Sequence, residues 1–223
     1  MNNNEIFNKI DFNILNYKDL VFDRFKKLCG FFESDAIDKN RISEAINYFE
    51  KSFLNFDVKI KSSFFEENFF EKFNININDE ILKIFLDSII KGFLVFGIGA
   101  FEKNNYKKEN LLEEFYFDLT GTAIVDVSRE ILKTYFQNEF VQFVSEAFGV
   151  GFFGIKQEEI YKFFEIMDFS KIGFYLNENF VIYPDKSFIG FFVVSENQIY
   201  IKNDCKNCIG KSKGCFFCKN KSW

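Results

Sequence analysis

Apolar residues recur at helical spacing over 17–31 and again over 39–53, where Ile42, Ala45, Ile46 and Phe49 share a face and Asp38 stands at the capping position. Between 58 and 70 the period is mixed and rich in Phe and Glu, and it assigns no element. Phe73, Ile75 and Ile77 then alternate with Asn, which predicts a half-buried strand. Asn78 or Asp79 would cap a helix carrying Ile81, Leu82, Phe85, Ile89 and Ile90 as far as about Lys91. Phe93-Leu94-Val95-Phe96 reads as a buried strand ending in Gly97-Ile98-Gly99, so the stretch forms a strand, helix, strand unit.

In the second half the pattern predicts one helix over 107–117 and another over 119–138, the latter opening with the small residues Gly121, Thr122 and Ala123. Gly149, Gly151 and Gly154 punctuate a loop, an amphipathic helix follows over 157–167, and two strands flank the turn Tyr183-Pro184-Asp185-Lys186. This irregular alternation predicts an α+β fold, a mixed or antiparallel sheet with helices packed around it, followed by a small Cys-rich C-terminal metal loop. No Ser/Gly/Pro linker divides the chain. A helical N-terminal part (1–70), an α+β core (71–202) and a cysteine tail (203–223) are expected, with one boundary near Asn203.

Composition changes this picture in three ways. With 36 Phe in 223 residues, bulky aromatics must supply most of the apolar burial, so Phe clusters are read as core rather than as sites. A net charge of -5 with scattered cations lacks the basic stripe that follows a phosphate backbone, which disfavours nucleic acid as a partner. The one Lys-rich stretch, Lys206 to Lys221, is explained by solvation of a small metal loop, with an RNA-binding zinc knuckle as the minor alternative. Thirdly, the chain has no histidine, which removes the commonest general base, any His-activated nucleophile and any His-ligated metal. No secretory signal is read at the N-terminus, and the apolar run 93–101 is about half of what a membrane helix needs, so a cytoplasmic protein without a membrane span is expected.

The strongest local motif is Cys205-Lys-Asn-Cys208 with Cys215-Phe-Phe-Cys218. Only six residues separate the two pairs, so four thiolates can converge on one ion or cluster at little loop-closure cost. Paired disulfides are the alternative, disfavoured in a cytoplasmic protein. Spacing does not decide between zinc and iron–sulfur. Cys29 is remote in sequence and reads as a core residue.

Several blocks considered together carry a family likeness. Residues 73–77, a capped helix and Gly92-Phe-Leu-Val-Phe-Gly-Ile-Gly99 form the first; Asp118-Leu-Thr-Gly-Thr-Ala-Ile-Val-Asp126 places an acid after a run of small residues; Ser145-Glu-Ala-Phe-Gly149 is a loop; and residues 172–187 read as a hairpin. Over roughly 70–218 the chain resembles the reactivation domain of cobalamin-dependent methionine synthase, in particular the stand-alone versions found in anaerobic bacteria. The resemblance implies binding of S-adenosylmethionine and presentation of its methyl group to the cobalamin of a partner, methionine synthase or another corrinoid protein, while an electron is supplied from outside. It implies Asp126 at the sulfonium end and Asp126, Ser145, Phe148 and Gly149 along a ligand cleft. It tilts the cysteine quartet toward an iron–sulfur cluster, which can carry an electron, and away from zinc, which can only clip the tail. Phe143 stands where the family loop begins with Arg, and Glu146, Ala147 and Phe148 replace Pro, Gly and Tyr. The alternative is a degenerate binding module of the same fold with a four-cysteine metal or redox tail. Read without the family, Asp126 is an ordinary exposed acid on a helix, and the glycine loop is a simple turn.

Overall fold

The computed structural model describes residues 12–31, 39–103, 106–140, 142–151 and 155–199. The cysteine quartet, the boundary near Asn203, Asp38 and Gly154 lie outside these. In chain order the elements are α1 (Lys18–Leu28), α2 (Lys39–Phe53), β1 (Phe56–Phe65), α3 (Phe69–Lys72), α4 (Asp79–Leu86), β2 (Ile90–Glu102), α5 (Leu111–Phe140), β3 (Phe143–Val144), β4 (Phe148–Gly149), α6 (Ile160–Met167), β5 (Tyr175–Leu176), β6 (Ile182–Tyr183) and β7 (Ser187–Ser195). The fold is α+β. Among the described residues every strand pair is antiparallel, in the order β1-β2-β7-β3 with β4 also on β7, and β5 pairs with β6 alone. No helix among the described residues is long and apolar enough to cross a membrane.

Helices cover both faces of the sheet. Leu94, Phe96, Ile98, Phe192 and Val194 pack against α1, α2 and α5, whereas Phe93, Val95, Ile189, Phe191 and Val193 pack against α3, α4 and α6. The alternation follows from the strand period of two, with both faces apolar because both are covered. The largest fully buried side chains are all Phe, among them Phe25, Phe49, Phe96 and Phe191, as the composition requires. On β1 the two faces differ: Val58 and Ile60 join the first cluster, while Lys59 sits over the Phe101 ring at 4.5 Å and Lys61 donates to Asp168 O at 3.0 Å on the other.

Helix α1 starts after a 3-10 turn whose N-cap, Asn13, accepts from Leu15 N at 3.0 Å. It closes at Gly30 (φ +74°), where Phe31 N donates to Lys26 O and Gly30 N to Lys27 O, the pairing of a Schellman motif. Helix α2 has the expected bounds and buries Ala45, Phe49, Ser52 and Phe53, whereas Ile46, at the border of that face, is 37% exposed.

Four expectations are corrected. Residues 73–77 are not a strand: Phe73 and Asn74 turn after α3 and no strand among the described residues pairs with the segment, although Ile75 is buried and Asn76 donates to Glu159 Oε1 at 3.0 Å. Alternate burial does not need a ladder. Helix α4 stops at Leu86, since Ile89 is exposed and Ile90 enters β2. Strand β2 does not end at its glycines: a Cβ on Gly97 would lie 2.5 Å from the Phe169 ring, so the residue makes room for an aromatic laid across the strand. Finally, the two predicted helices are one. Helix α5 runs for 30 residues, and Thr120 and Thr122 return their hydroxyls to Tyr116 O and Asp118 O within it instead of breaking it. Its start is set by Asn110, whose Oδ1 accepts from Glu113 N at 2.9 Å, with the Glu113 carboxylate accepting from Glu109 N at 2.7 Å and Tyr106 Oη at 2.6 Å.

Candidate ligand cleft

Strand β7 is central because its two edges do different work. On one edge it pairs with β2, and Ala100 N donates to Lys186 O at 2.8 Å. On the other it meets β4 at Gly190 and Phe191 and β3 at Val194 and Ser195, and Val150 N donates to Ile189 O at 3.2 Å. Since antiparallel residues alternate the edge to which their N–H and C=O point, Ser187 presents its backbone on the side away from β2. There a cleft of about 310 Å³ opens, lined among others by Gly151, Gln157, Phe180, Asp185, Ser187 and Phe188. Its volume is at the lower end of the range for small-molecule sites, roughly 300 to 1,000 Å³.

The expected site residues fall into separate places. Asp126 lies on α5, with its side chain one quarter exposed, 3.4 Å from Arg24 Nη1 and 3.5 Å from Arg129 Nη2. Burial pushes its carboxyl above the ordinary aspartate value, and Arg129 and Arg24 oppose that only in part. Asp126 is therefore not a free surface acid but one held between two arginines. Ser145 accepts from Val193 N at 2.9 Å and donates to Glu146 O at 2.7 Å, so its hydroxyl stitches the segment between β3 and β4 onto β7. Phe148 is fully buried and stacks on Phe191 at 5.1 Å, on the sheet face opposite α5. Gly149 pairs with Gly190 at the rim, immediately before the cleft wall. Phe143 is about half exposed. Cys29 packs against the first cluster, its thiol pushed up to about 12 by burial, which leaves it unreactive.

One connection joins Asp126 to the cleft. The Arg129 guanidinium, paired to Asp126, lies 5.1 Å from the Phe188 ring centroid, and Phe188 is one of the residues lining the cleft. Arg24 completes this group from α1, bridging to Glu130 as well. Sequence reading had no access to Arg24, because 102 residues separate it from its partner.

No protein-family model matches the chain, and no curated protein matches it.

What distinguishes the cleft is its setting. Two grooves are larger, about 580 Å³ between α1 and α5 and about 510 Å³ between α6 and the β5–β6 hairpin. The separated sequence blocks meet around the start of β7, on the side of the strand that faces β2 and α5 as well as on the cleft side. Lys186 forms an ion pair with Asp118, a Cβ on Gly121 would lie 2.8 Å from Lys186 Cγ, and Gly99 pairs with Ser187 while facing Phe174 and Pro184. The cleft offers aromatic surface, a backbone edge, the Gln157 amide and the exposed carboxylate of Asp185. Such a set can hold and orient a partly apolar, cationic ligand; among the described residues no group of three or more metal-ligating side chains gathers.

Proposed function

We propose that this chain assists the S-adenosylmethionine-dependent reductive reactivation of a cobalamin-dependent methyltransferase, methionine synthase or a related corrinoid protein. It holds the methyl donor in the cleft at the β7 edge and presents it to the corrinoid of the partner. The observation that carries the reading is the convergence of residues 92–99, 118–126, 145–149 and 172–187, far apart in sequence, around one strand. The chemistry of the cleft suits the donor: its sulfonium and ammonium charges call for a carboxylate or an aromatic face, and its nucleoside calls for hydrogen bonds beside an apolar surface. Asp185 serves the cationic end. Asp126 acts at one remove, orienting Arg129 against Phe188. The corrinoid supplies the cobalt chemistry, and Cys205, Cys208, Cys215 and Cys218 would hold an iron–sulfur cluster as the electron carrier.

The test is calorimetric titration of S-adenosylmethionine into anaerobically purified protein, with Asp185→Asn alongside. Saturable binding weakened about fivefold by the substitution is expected, the size of effect that an exposed charge supplies. No binding at millimolar ligand refutes donor presentation. Iron and sulfide in the same preparation support the electron-carrying tail, and stoichiometric zinc without colour removes it.

A further inference from the structure

Ser195, the last residue of β7, pairs with Ile90 on one side and with Phe143 on the other. Directly opposed antiparallel residues share a sheet face, and Ser195 follows Phe191 and Val193 at a spacing of two. Phe143 therefore stands on the face covered by α3, α4 and α6, whereas its neighbour Val144 joins the first cluster. The cover stops short of this end of the sheet. Phe143 is 49% exposed, and Ile89, whose carbonyl accepts from Glu196 N at 3.0 Å, is 51% exposed. Two large apolar side chains thus flank the point where the chain leaves β7.

The departing chain turns onto the same face. Ile199, the last described residue, packs against the second cluster. The sequence continues through residues 200–223, which carry Phe216 and Phe217 side by side together with Ile201, Ile209 and the chain's single tryptophan, Trp223. A segment this short does not enclose such side chains alone, since chains below about 40 residues seldom build a core of their own. Phe216 and Phe217 lie between Cys215 and Cys218, and thiols that turn toward one ion turn the two residues between them outward. Sixteen residues separate Ile199 from Phe216, enough to reach any point at this end of the sheet.

We infer that residues 200–223 dock back onto the end of the sheet, with Phe216 and Phe217 covering Phe143 and Ile89. The docking goes beyond the function proposed above and holds for either metal on the quartet. The cysteines then stand near Ser195, whereas the ligand cleft opens at Ser187, the other end of the same strand, roughly 26 Å away. A partner served by both sites must span the length of β7.

The lysines of the tail, among them Lys206, Lys211 and Lys213, make trypsin the natural probe, because cleavage follows the population of the undocked form. In the full chain, Phe143→Ser and Ile89→Ser are each expected to raise cleavage at these lysines about tenfold. Leu20→Ser, at a residue 54% exposed on α1, is expected to leave it at the wild-type rate. Conversely, changing both Phe216→Ser and Phe217→Ser should raise amide exchange about tenfold over residues 89–91 and 142–144 and nowhere else in the body. Equal cleavage of wild type and Phe143→Ser overturns the inference. Protection of 142–144 that survives the double change and grows with protein concentration assigns the patch to a second copy and also overturns it. If a body variant melts more than about 3 °C below wild type, the tail variant, which leaves the body intact, decides through exchange alone. The tenfold contrast in a preparation without bound metal supports the docking and removes only the electron carrier of the proposed function.

Discussion

Gly190→Ala should be among the most damaging single-methyl changes in this chain. Gly190 lies in β7 opposite Gly149, and a Cβ built there would sit 2.1 Å from Phe148 O and 2.8 Å from Cε1 of Phe188. A carbon–oxygen contact is comfortable at about 3.3 Å, so β4 would have to retreat by roughly 1 Å. The obstacle is backbone, not the far end of a flexible side chain, and no rotamer change relieves it. If the strand merely shifts, the cost is that of overpacking, about 1 to 3 kcal/mol. If β4 peels away, the fully buried Phe148 loses its stack on Phe191 and the cost rises toward the 3 to 5 kcal/mol of a Phe-to-Ala change. Equilibrium denaturation should show a loss of about 3 kcal/mol, or a melting temperature lower by roughly 6 to 12 °C for a chain of this size. The double variant with Phe148→Ala should lose less than the sum of the two, because both act on one contact. A Gly190→Ala protein within about 0.5 kcal/mol of wild type would refute the reasoning and the placement of β4 with it.

Two further outcomes concern pH. Hydrogen bonds from Tyr106 and the Glu109 backbone hold the Glu113 carboxyl below the ordinary glutamate value, so its contribution is present above about pH 4.5 and lost as pH falls through the folded-state value. Glu113→Gln should therefore cost about 1 to 3 kcal/mol at pH 7, a gap that narrows in acid denaturation series; a pH-independent gap contradicts the assignment. Asp126 runs the other way. Burial raises its folded value, so the wild type loses stability from this group as pH rises from the ordinary 3.8 through the raised folded value, and the stability of Asp126→Asn relative to wild type should increase over that window. A relative stability that falls over that window would show the two arginines outweighing burial.

The helices with clean periodicity were legible. Ala45 and Phe49 mark α2, and Ile160, Phe163 and Met167 mark α6, because each face is covered by one layer only. Strand β1 was not, for a local reason: after Val58 and Ile60 the next inward position is Ser62, buried although polar, so the alternation breaks where the strand continues. Gly97 and Gly99 read as a turn because sequence cannot show the rings of Phe169 and Phe174 lying over them. The candidate site was legible only as blocks. Asp126 was found, but its partner Arg24 is on another helix, and the cleft draws Gly151, Gln157, Phe180, Asp185 and Ser187 from four segments with no shared spacing. Phe180, at φ +59°, was hidden by its neighbour, since in Asn-Glu-Asn-Phe the natural choice for a left-handed residue is Asn179.

The two lysines of β1 have a consequence for assembly of the sheet. The strand runs against β2 for ten residue pairs, from Phe56 opposite Glu102 to Phe65 opposite Phe93. Sliding it by one residue would move Lys59 and Lys61 beneath the long helix and strip Val58 and Ile60 of their cover. An ammonium forced into that apolar layer cannot be tolerated, so the pair acts as a check on mis-registration during folding, and it guards an outer edge that would otherwise invite a neighbouring chain to add a strand.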